Sequence, residues 1–370
     1  MKLLILQENL ERAIGITTRF ASTKAQLPVL GNVLLSSRKS KIFISSTNLE
    51  ISASVQVGAK VESEGEISIP AKVISDLVSN LPKETISLES EKEQLKISAP
   101  GFSSTILGMD PSDFPAVPNS INESKSVVFS KKEISECLNK VVFATSTDET
   151  RPILTGVLFI LKNDSLSLVS TDGFRLSRRI MSLEGYKGEV KSVVIPKSVL
   201  GEIVRGVFET DEILFNLEDS EKQVVFGLSD TVLASRLLEG EYPDFEKIIP
   251  GQSNIQVTLD KEEFLRAVKL ASIFARESAN IVKIKILKDS IKVSSESSAA
   301  GSQEAKVDAK VERTDSGDFE IAFNYKYLED FLRSVSGDEI KIEFINQTSA
   351  GVFKDTSDSQ YLHLIMPVKI

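Results

Sequence analysis

Three stretches of the chain carry the same amphipathic stripe. In IPAKVISDLVSNLP, from Ile69, the apolar positions Val73, Ile74, Leu77, Val78 and Leu81 follow the i, i+1, i+4, i+5, i+8 spacing of a helix with one buried face. Pro70 stands just inside the predicted start, where a missing N–H costs nothing. In IPKSVLGEIVRGVF, from Ile195, the stripe is Val199, Leu200, Ile203, Val204 and Val207, with Pro196 at the start. In FNYKYLEDFLRSVSG, from Phe323, it is Tyr327, Leu328, Phe331, Leu332 and Val335, and Asn324 takes the N-cap place. Val73, Val199 and Tyr327 head the three stripes at intervals of 126 and 128 residues, so the chain is read as three copies of one unit.

A second helix precedes each of these. The first carries Leu10, Ala13, Ile14, Thr17 and Ala21 on one face. The second and third open on Ser130 with Glu133 and on Asp260 with Glu263, each resembling a capping box. Between the helices, alternating runs predict strands: GNVLLSS, GVLFILK and VKIKILK from residues 31, 156 and 282, followed by KIFISSTN, SLSLVSTD and SIKVSSES. After the second helix of each copy come TISLESE, EILFNLE and EIKIEFI. Helices grouped with antiparallel strand runs, without strict β-α alternation, give an α+β class. PNSINESKS and PGQSN read as linkers, which sets the copies at residues 1–120, 126–250 and 254–370.

The segment STDGFRLSRR, 170–179, has the look of an active-site loop. The repeat argues otherwise: STD at 170–172 aligns with STN at 46–48 and SSE at 294–296, so its first task is to bend a strand pair, and Asp172-Gly173 is ordinary turn chemistry. The second copy alone adds Phe174, Arg175 and Leu176, a combination suited to a binding pocket.

Composition narrows the function. The chain has 370 residues, 41% of them hydrophobic and 26% charged, and no apolar run of the ~18–20 residues that span a bilayer. MKLLILQENLER lacks the features of a signal peptide, so a cytoplasmic protein with no membrane partner is expected. One cysteine, Cys137, and one histidine, His363, exclude an internal disulfide and a Cys/His zinc site and weigh against a Ser-His-Asp triad. No phosphate loop, dinucleotide fingerprint or calcium loop is present, so no cofactor is implied. A net charge of −9 argues against nucleic acid at face value, yet binding depends on where charges sit. Seven-residue spacing puts Arg12 with Arg19, Lys269 with Arg276, and Lys326 with Arg333 on shared helix faces; Arg266, Lys72, Lys197 and Arg205 lie on the same set of helices.

LPVLGNVLL at 27–35, STDGFRL at 170–176, EYPDFEKIIP at 241–250 and the terminal MPVKI resemble, in order and spacing, the bacterial DNA polymerase III β subunit family, the replicative sliding clamps. The resemblance spans the whole chain. It implies three tandem DNA-clamp domains, each with two helices on antiparallel sheets, and a head-to-tail homodimer closing a six-domain ring around duplex DNA. It implies a non-catalytic processivity factor whose partners are the polymerase α subunit, the clamp loader and other proteins bearing a Gln- and Leu-rich clamp-binding peptide. The peptide pocket falls on Arg151, Ile153, Leu154, Thr171, Gly173, Phe174, Arg175, Leu176, Pro243, Lys247, Ile248, Leu364, Met366, Pro367, Val368 and Lys369. Leu154, Leu176 and Ile248 fit core packing equally well. The resemblance implies that Lys24 faces DNA; Lys72, Lys197, Arg205, Arg266 and Lys269 are expected to join it if their helix faces line a lumen, with ordinary solvated faces as the alternative, and the dimer contact is expected at Ile273 and Phe274, which fit the helix's own core stripe as an alternative. Phe174 stands where the family often has histidine, Ile153 near a lost aromatic and Lys247 for an arginine, which predicts a differently gated groove.

Two other readings use the same residues. A triplicated scaffold that binds peptides without enclosing DNA needs the same pocket. A phosphate-ester enzyme built on Asp172 and its arginines lacks the paired carboxylates or metal motif it would need.

Overall fold

The chain alternates strands and short helices three times over. The computed structural model describes residues 1–22, 27–183, 190–206, 208–218, 222–314 and 317–369. The first copy runs β1 (Lys2–Leu6), α1 (Gln7–Thr17), β2 (Asn32–Arg38), β3 (Lys41–Thr47), β4 (Ile51–Gly58), β5 (Lys60–Ser63), β6 (Gly65–Pro70), α2 (Ala71–Val78), β7 (Thr85–Glu91), β8 (Gln94–Ala99) and β9 (Phe102–Leu107). The second runs β10 (Val127–Ser130), α3 (Lys131–Asn139), β11 (Gly156–Lys162), β12 (Ser165–Thr171), β13 (Arg175–Ser182), β14 (Lys191–Pro196), α4 (Lys197–Arg205), β15 (Glu212–Glu218), β16 (Gln223–Leu228) and β17 (Thr231–Arg236). The third runs β18 (Ile255–Asp260), α5 (Lys261–Ala275), β19 (Ile281–Ile286), β20 (Ser290–Ser297), β21 (Gly301–Arg313), β22 (Phe319–Asn324), α6 (Tyr325–Ser334), β23 (Glu339–Phe344), β24 (Gly351–Asp355) and β25 (Tyr361–Ile365). The α+β reading and the two helices per copy hold.

The expected caps form on two helices. Asp260 accepts from the Glu263 N–H at 2.8 Å, and Asn324 accepts from the Lys326 N–H at 3.0 Å. Leu6, which has no polar side chain, precedes α1 without a side-chain cap. The α2 stripe is narrower than its spacing predicts. Ile74 and Val78 are buried, Val73 is exposed, and the helix ends at Val78 so that Leu81 is buried beyond it. Pro70 is the N-cap residue, one place earlier than predicted. Ala21 lies past the end of α1, and Val207 is outside the described residues.

Contacts divide the chain into two units, Met1–Lys132 with Gly201–Leu237, and Glu133–Leu200 with Leu238–Ile370. The middle copy is thus shared, and the ladders give the reason. In the first unit an eight-stranded antiparallel sheet runs β10-β15-β16-β17-β4-β3-β2-β6, so β17 of the second copy pairs with β4 of the first. A five-stranded sheet, β5-β1-β7-β8-β9, completes that unit, and α1 packs on β3, β4 and α2 through Leu10, Ala13 and Ile14. In the second unit a twelve-stranded sheet runs β14-β11-β12-β13-β25-β24-β23-β18-β21-β20-β19-β22, where β25 of the third copy pairs with β13 of the second. Its core under α5 and α6 is rich in phenylalanine: Phe264, Phe323, Phe331, Phe344 and Phe353 are fully buried.

Candidate functional site

The turn after β12 is built as the repeat predicts. The Thr171 hydroxyl accepts from the Gly173 N–H at 3.0 Å and donates to the Arg175 carbonyl at 2.6 Å, while Asp172 Oδ1 accepts from the Phe174 and Arg175 N–H groups at 2.9 and 3.1 Å. Thr47 and Asn48 make the same set of bonds to Leu49, Glu50 and Ile51 in the first copy. Gly173 has φ +93°, a conformation that favours glycine. Asp172 Oδ2 accepts from Arg175 Nε at 2.9 Å, so both oxygens are engaged in holding the turn, which leaves the phosphate-ester reading without its acid.

Arg175, expected in the pocket, is held by contacts within the fold. Its side chain is only 10% exposed. It reaches Asp172 at 2.9 Å, Asp330 on α6 at 2.6 Å and the Phe143 carbonyl at 2.8 Å, and it sits 4.6 Å from the Tyr327 ring centre and 5.5 Å from that of Phe143. Long side chain and fixed charge go into tying the turn to α6. What the turn presents to solvent is Phe174, 60% exposed. Its carbonyl accepts from the Met366 N–H at 2.8 Å, which fixes the C-terminal segment beside it; Val368 is fixed in turn by donating to the Ala322 carbonyl at 2.8 Å.

The register then assembles an apolar floor. Leu176 on β13 pairs with Thr171 and Leu364, and Leu364 pairs with Val352. Directly opposed residues of a sheet share a face. One cluster gathers Leu158, Val169, Leu176, Val194, Phe245, Ala350, Val352 and Leu364, with Ile153, Tyr242, Ile249 and Leu362 packed against it. Of the expected pocket residues, Ile153, Leu176 and Leu364 belong to this cluster, and Arg151 lies against Gly173. Met366 and Ile248 are exposed apolar residues, whereas Leu154 is buried outside the cluster, as its core-packing alternative had it. Pro243, Lys247 and Lys369 are exposed, Pro367 and Val368 half-buried, and Lys247 is paired with Asp244 at 2.7 Å. Sequence reasoning missed Val169, Val194, Tyr242, Phe245 and Val352. Burial pushes the Tyr242 phenol up from its ordinary value, and its hydroxyl donates to the Val169 carbonyl at 3.4 Å.

The first joint, where β4 meets β17, offers a control inside the same chain. By register, Ser45, Ser52, Ser68 and Ala234 stand where Val169, Leu176, Val194 and Leu364 stand in the second. The backbone repeats; the apolar floor shrinks to Val29, Leu30 and Phe114 with Leu34 and Val117.

The basic helix residues are partly neutralised. Arg19 and Arg205 both bind Glu202, at 2.9 and 2.6 Å, Arg12 binds Asp230, and Arg333 binds Glu329 at 3.0 Å. Lys72, Arg266 and Lys269 are exposed and carry no ion pair among the described residues. Lys197 is half-buried near Arg175, and burial, then that cation, lower its pKa while Asp330 opposes the shift. Lys24 lies outside the described residues. On α5, Ile273 is 57% exposed, off the helix's core stripe, while Phe274 is half-buried and faces Gly301 at the start of β21. Cys137 is buried and its thiol is pushed up to about 11 by that burial, which makes it inert. Among the described residues no group of His, Cys, Asp and Glu is arranged to hold a metal, and no helix is long and apolar enough to cross a membrane.

Models of the DNA polymerase III beta subunit match the chain in succession: its N-terminal domain at residues 1–118, its central domain at 128–244 and its C-terminal domain at 246–369. A curated relative, the beta sliding clamp of Staphylococcus aureus, is 28% identical over 363 residues, 95% of either chain. The crystal structure of the DNA polymerase sliding clamp from Bacillus subtilis is 27% identical with a TM-score of 0.94, over 100% of this chain and 99% of that one. That of the DNA polymerase III beta subunit from Thermotoga maritima is 26% identical with a TM-score of 0.91, again over 100% and 99%.

Proposed function

This chain belongs to the DNA polymerase III beta subunit family, the sliding clamps, and from that premise we propose how it carries out the family's non-catalytic task, processivity of a DNA polymerase. Two copies close head to tail into a ring around duplex DNA, in the cytoplasm, with clamp domains at residues 1–120, 126–250 and 254–370. The polymerase α subunit, the clamp loader and related proteins dock a short peptide on the floor between β13, β25 and the segment 242–249.

One observation carries the closure. At each internal joint the last strand of one copy pairs with the third strand of the preceding copy's meander, β17 with β4 and β25 with β13. Two strands of the same kinds are left over. β9 ends its sheet, and residues 301–308 of β21 pair with β20 on one side only. An unpaired edge is a template for another chain. Pairing β21 of one copy with β9 of a second repeats the internal joint and, done twice, leaves neither edge open. Apolar side chains flank both: Leu107, 69% exposed, and Phe102 on β9, and Leu270, Ile273 and Phe274 on α5.

The scaffold reading shares the pocket but not the ring. Electron microscopy of the purified chain at micromolar concentration separates them. Closed rings with a central hole and pseudo-sixfold symmetry are expected; monomers at all concentrations would leave the peptide site without enclosure of DNA.

A further inference from the structure

β13 carries three arginines within five residues, and they have different fates. Arg175 is engaged by Asp172, Asp330 and two rings. Arg179 lies 2.8 Å from Asp358, which also receives Lys140 at 2.7 Å. Arg178 has no ion pair or hydrogen bond among the described residues, and its Nε is buried without a partner.

Its direction is set by the ladder. Arg178 is paired across the sheet with Val169 on one side and Leu362 on the other, and both pack in the apolar floor of the pocket. Leu176, two residues away on the same face, belongs to that floor too. At the matching place in the first joint stands Ser54, satisfied by Ser45 at 2.9 Å.

We infer that Arg178 is a specificity residue of the peptide pocket and receives an Asp or Glu side chain of the bound partner. The inference rests on the pocket reading above. A half-buried guanidinium keeps its charge and its five donors whatever surrounds it, so an unfilled one among aliphatic side chains calls for an acceptor. Asp172, Asp330 and Asp358 bond Arg175 and Arg179 on the opposite face of the sheet; on the face of Arg178, Glu343 is paired with Lys354 at 2.8 Å, and in the segment beside the floor Asp244 is paired with Lys247 at 2.7 Å. The acceptor must come with the ligand, and a carboxylate matches the planar fork with two parallel hydrogen bonds.

The test is fluorescence anisotropy on the full-length protein. The probes are short Gln- and Leu-rich peptides, acetylated and amidated at their ends, with one Asp, or Asn in its place, moved along the chain. At one position the Asp peptide is expected to bind the wild type roughly tenfold tighter than its Asn twin. Arg178→Met should erase that preference while keeping affinity for the Asn peptide, and Arg178→Lys should keep part of it. Equal binding of every Asp/Asn pair by the wild type overturns the assignment and leaves the pocket standing. If no peptide binds at all, the pocket reading falls and the assignment with it.

Discussion

At the scale of single residues, buried charge is decided by partners. Asp330→Ala strips Arg175, whose side chain is 10% exposed, of one of its two carboxylates. A loss of about 1–3 kcal/mol is expected, with several-fold weaker peptide binding as the Phe174 turn loosens. Urea unfolding and peptide titration of the same variant measure both, and an unchanged affinity would show that the turn needs no anchor. His363 on β25 is fully buried between the Phe143 and Phe331 rings, 2.6 Å from Ser177 through Nδ1 and with Nε2 unpartnered. Burial, and then the Arg175 charge, hold its pKa well below the ordinary value of 6.5. The unfolded chain therefore takes up a proton at this site that the folded chain refuses. Stability from this site is full above about pH 6.5 and falls below it, with a slope of at most about 1.4 kcal/mol per pH unit. Urea midpoints at pH 7.5 and 5 should diverge more for the wild type than for His363→Gln.

At the scale of elements, the two joints share a ladder and differ in the side chains packed on it. Ser52 and Ser68 in one and Leu176 and Val194 in the other predict one peptide site per chain, not two. Calorimetric titration should give a stoichiometry of one. Deleting residues 366–370 removes the strap held by Phe174 and Ala322 and should abolish that heat while leaving the assembly state unchanged. The basic helices need more care. Charge reversal at Lys197 also disturbs Arg175 and Asp330, and at Arg205 it breaks a pair with Glu202. Arg266→Glu with Lys269→Glu is the cleaner variant, since both side chains are exposed and unpaired among the described residues. Retention on circular DNA should shorten and its salt dependence flatten; unaltered retention would count against a basic lumen.

For the whole molecule, the proposed closure by β21 and β9 would place the exposed apolar side chains of Leu107 and Ile273 in the interface. A charge placed at either must be desolvated on association, where each apolar side chain otherwise contributes about 1.5–3 kcal/mol when buried. Leu107→Asp and Ile273→Asp should each give a folded monomer of 40.6 kDa by light scattering at concentrations where the wild type is twice that mass. A persistent dimer in both would place the interface elsewhere.

The sequence by itself determined what depends on local periodicity and local chemistry. The helical stripes, the alternating runs of β12 and β20, the caps at Asp260 and Asn324 and the turn at Asp172 were legible because each is fixed by residues within a few positions of one another. The tertiary structure alone decided which strands meet across copies, because ladder bonds are made by a backbone that is the same at every residue. That pairing divided the middle copy between two units, drew Val169, Val194 and Val352 into one floor, and turned Lys2–Leu6, which sequence reading left without a structure, into an inner strand between β5 and β7. It decided the charges as well. Arg12 and Arg19 look like free cations on a helix face until Asp230 and Glu202 arrive from some two hundred residues away. On β13, alternation along STDGFRLSRR puts Arg178 on the face of Leu176 and Arg175 and Arg179 on the other, but which face meets acids depends on side chains brought in by distant strands and helices.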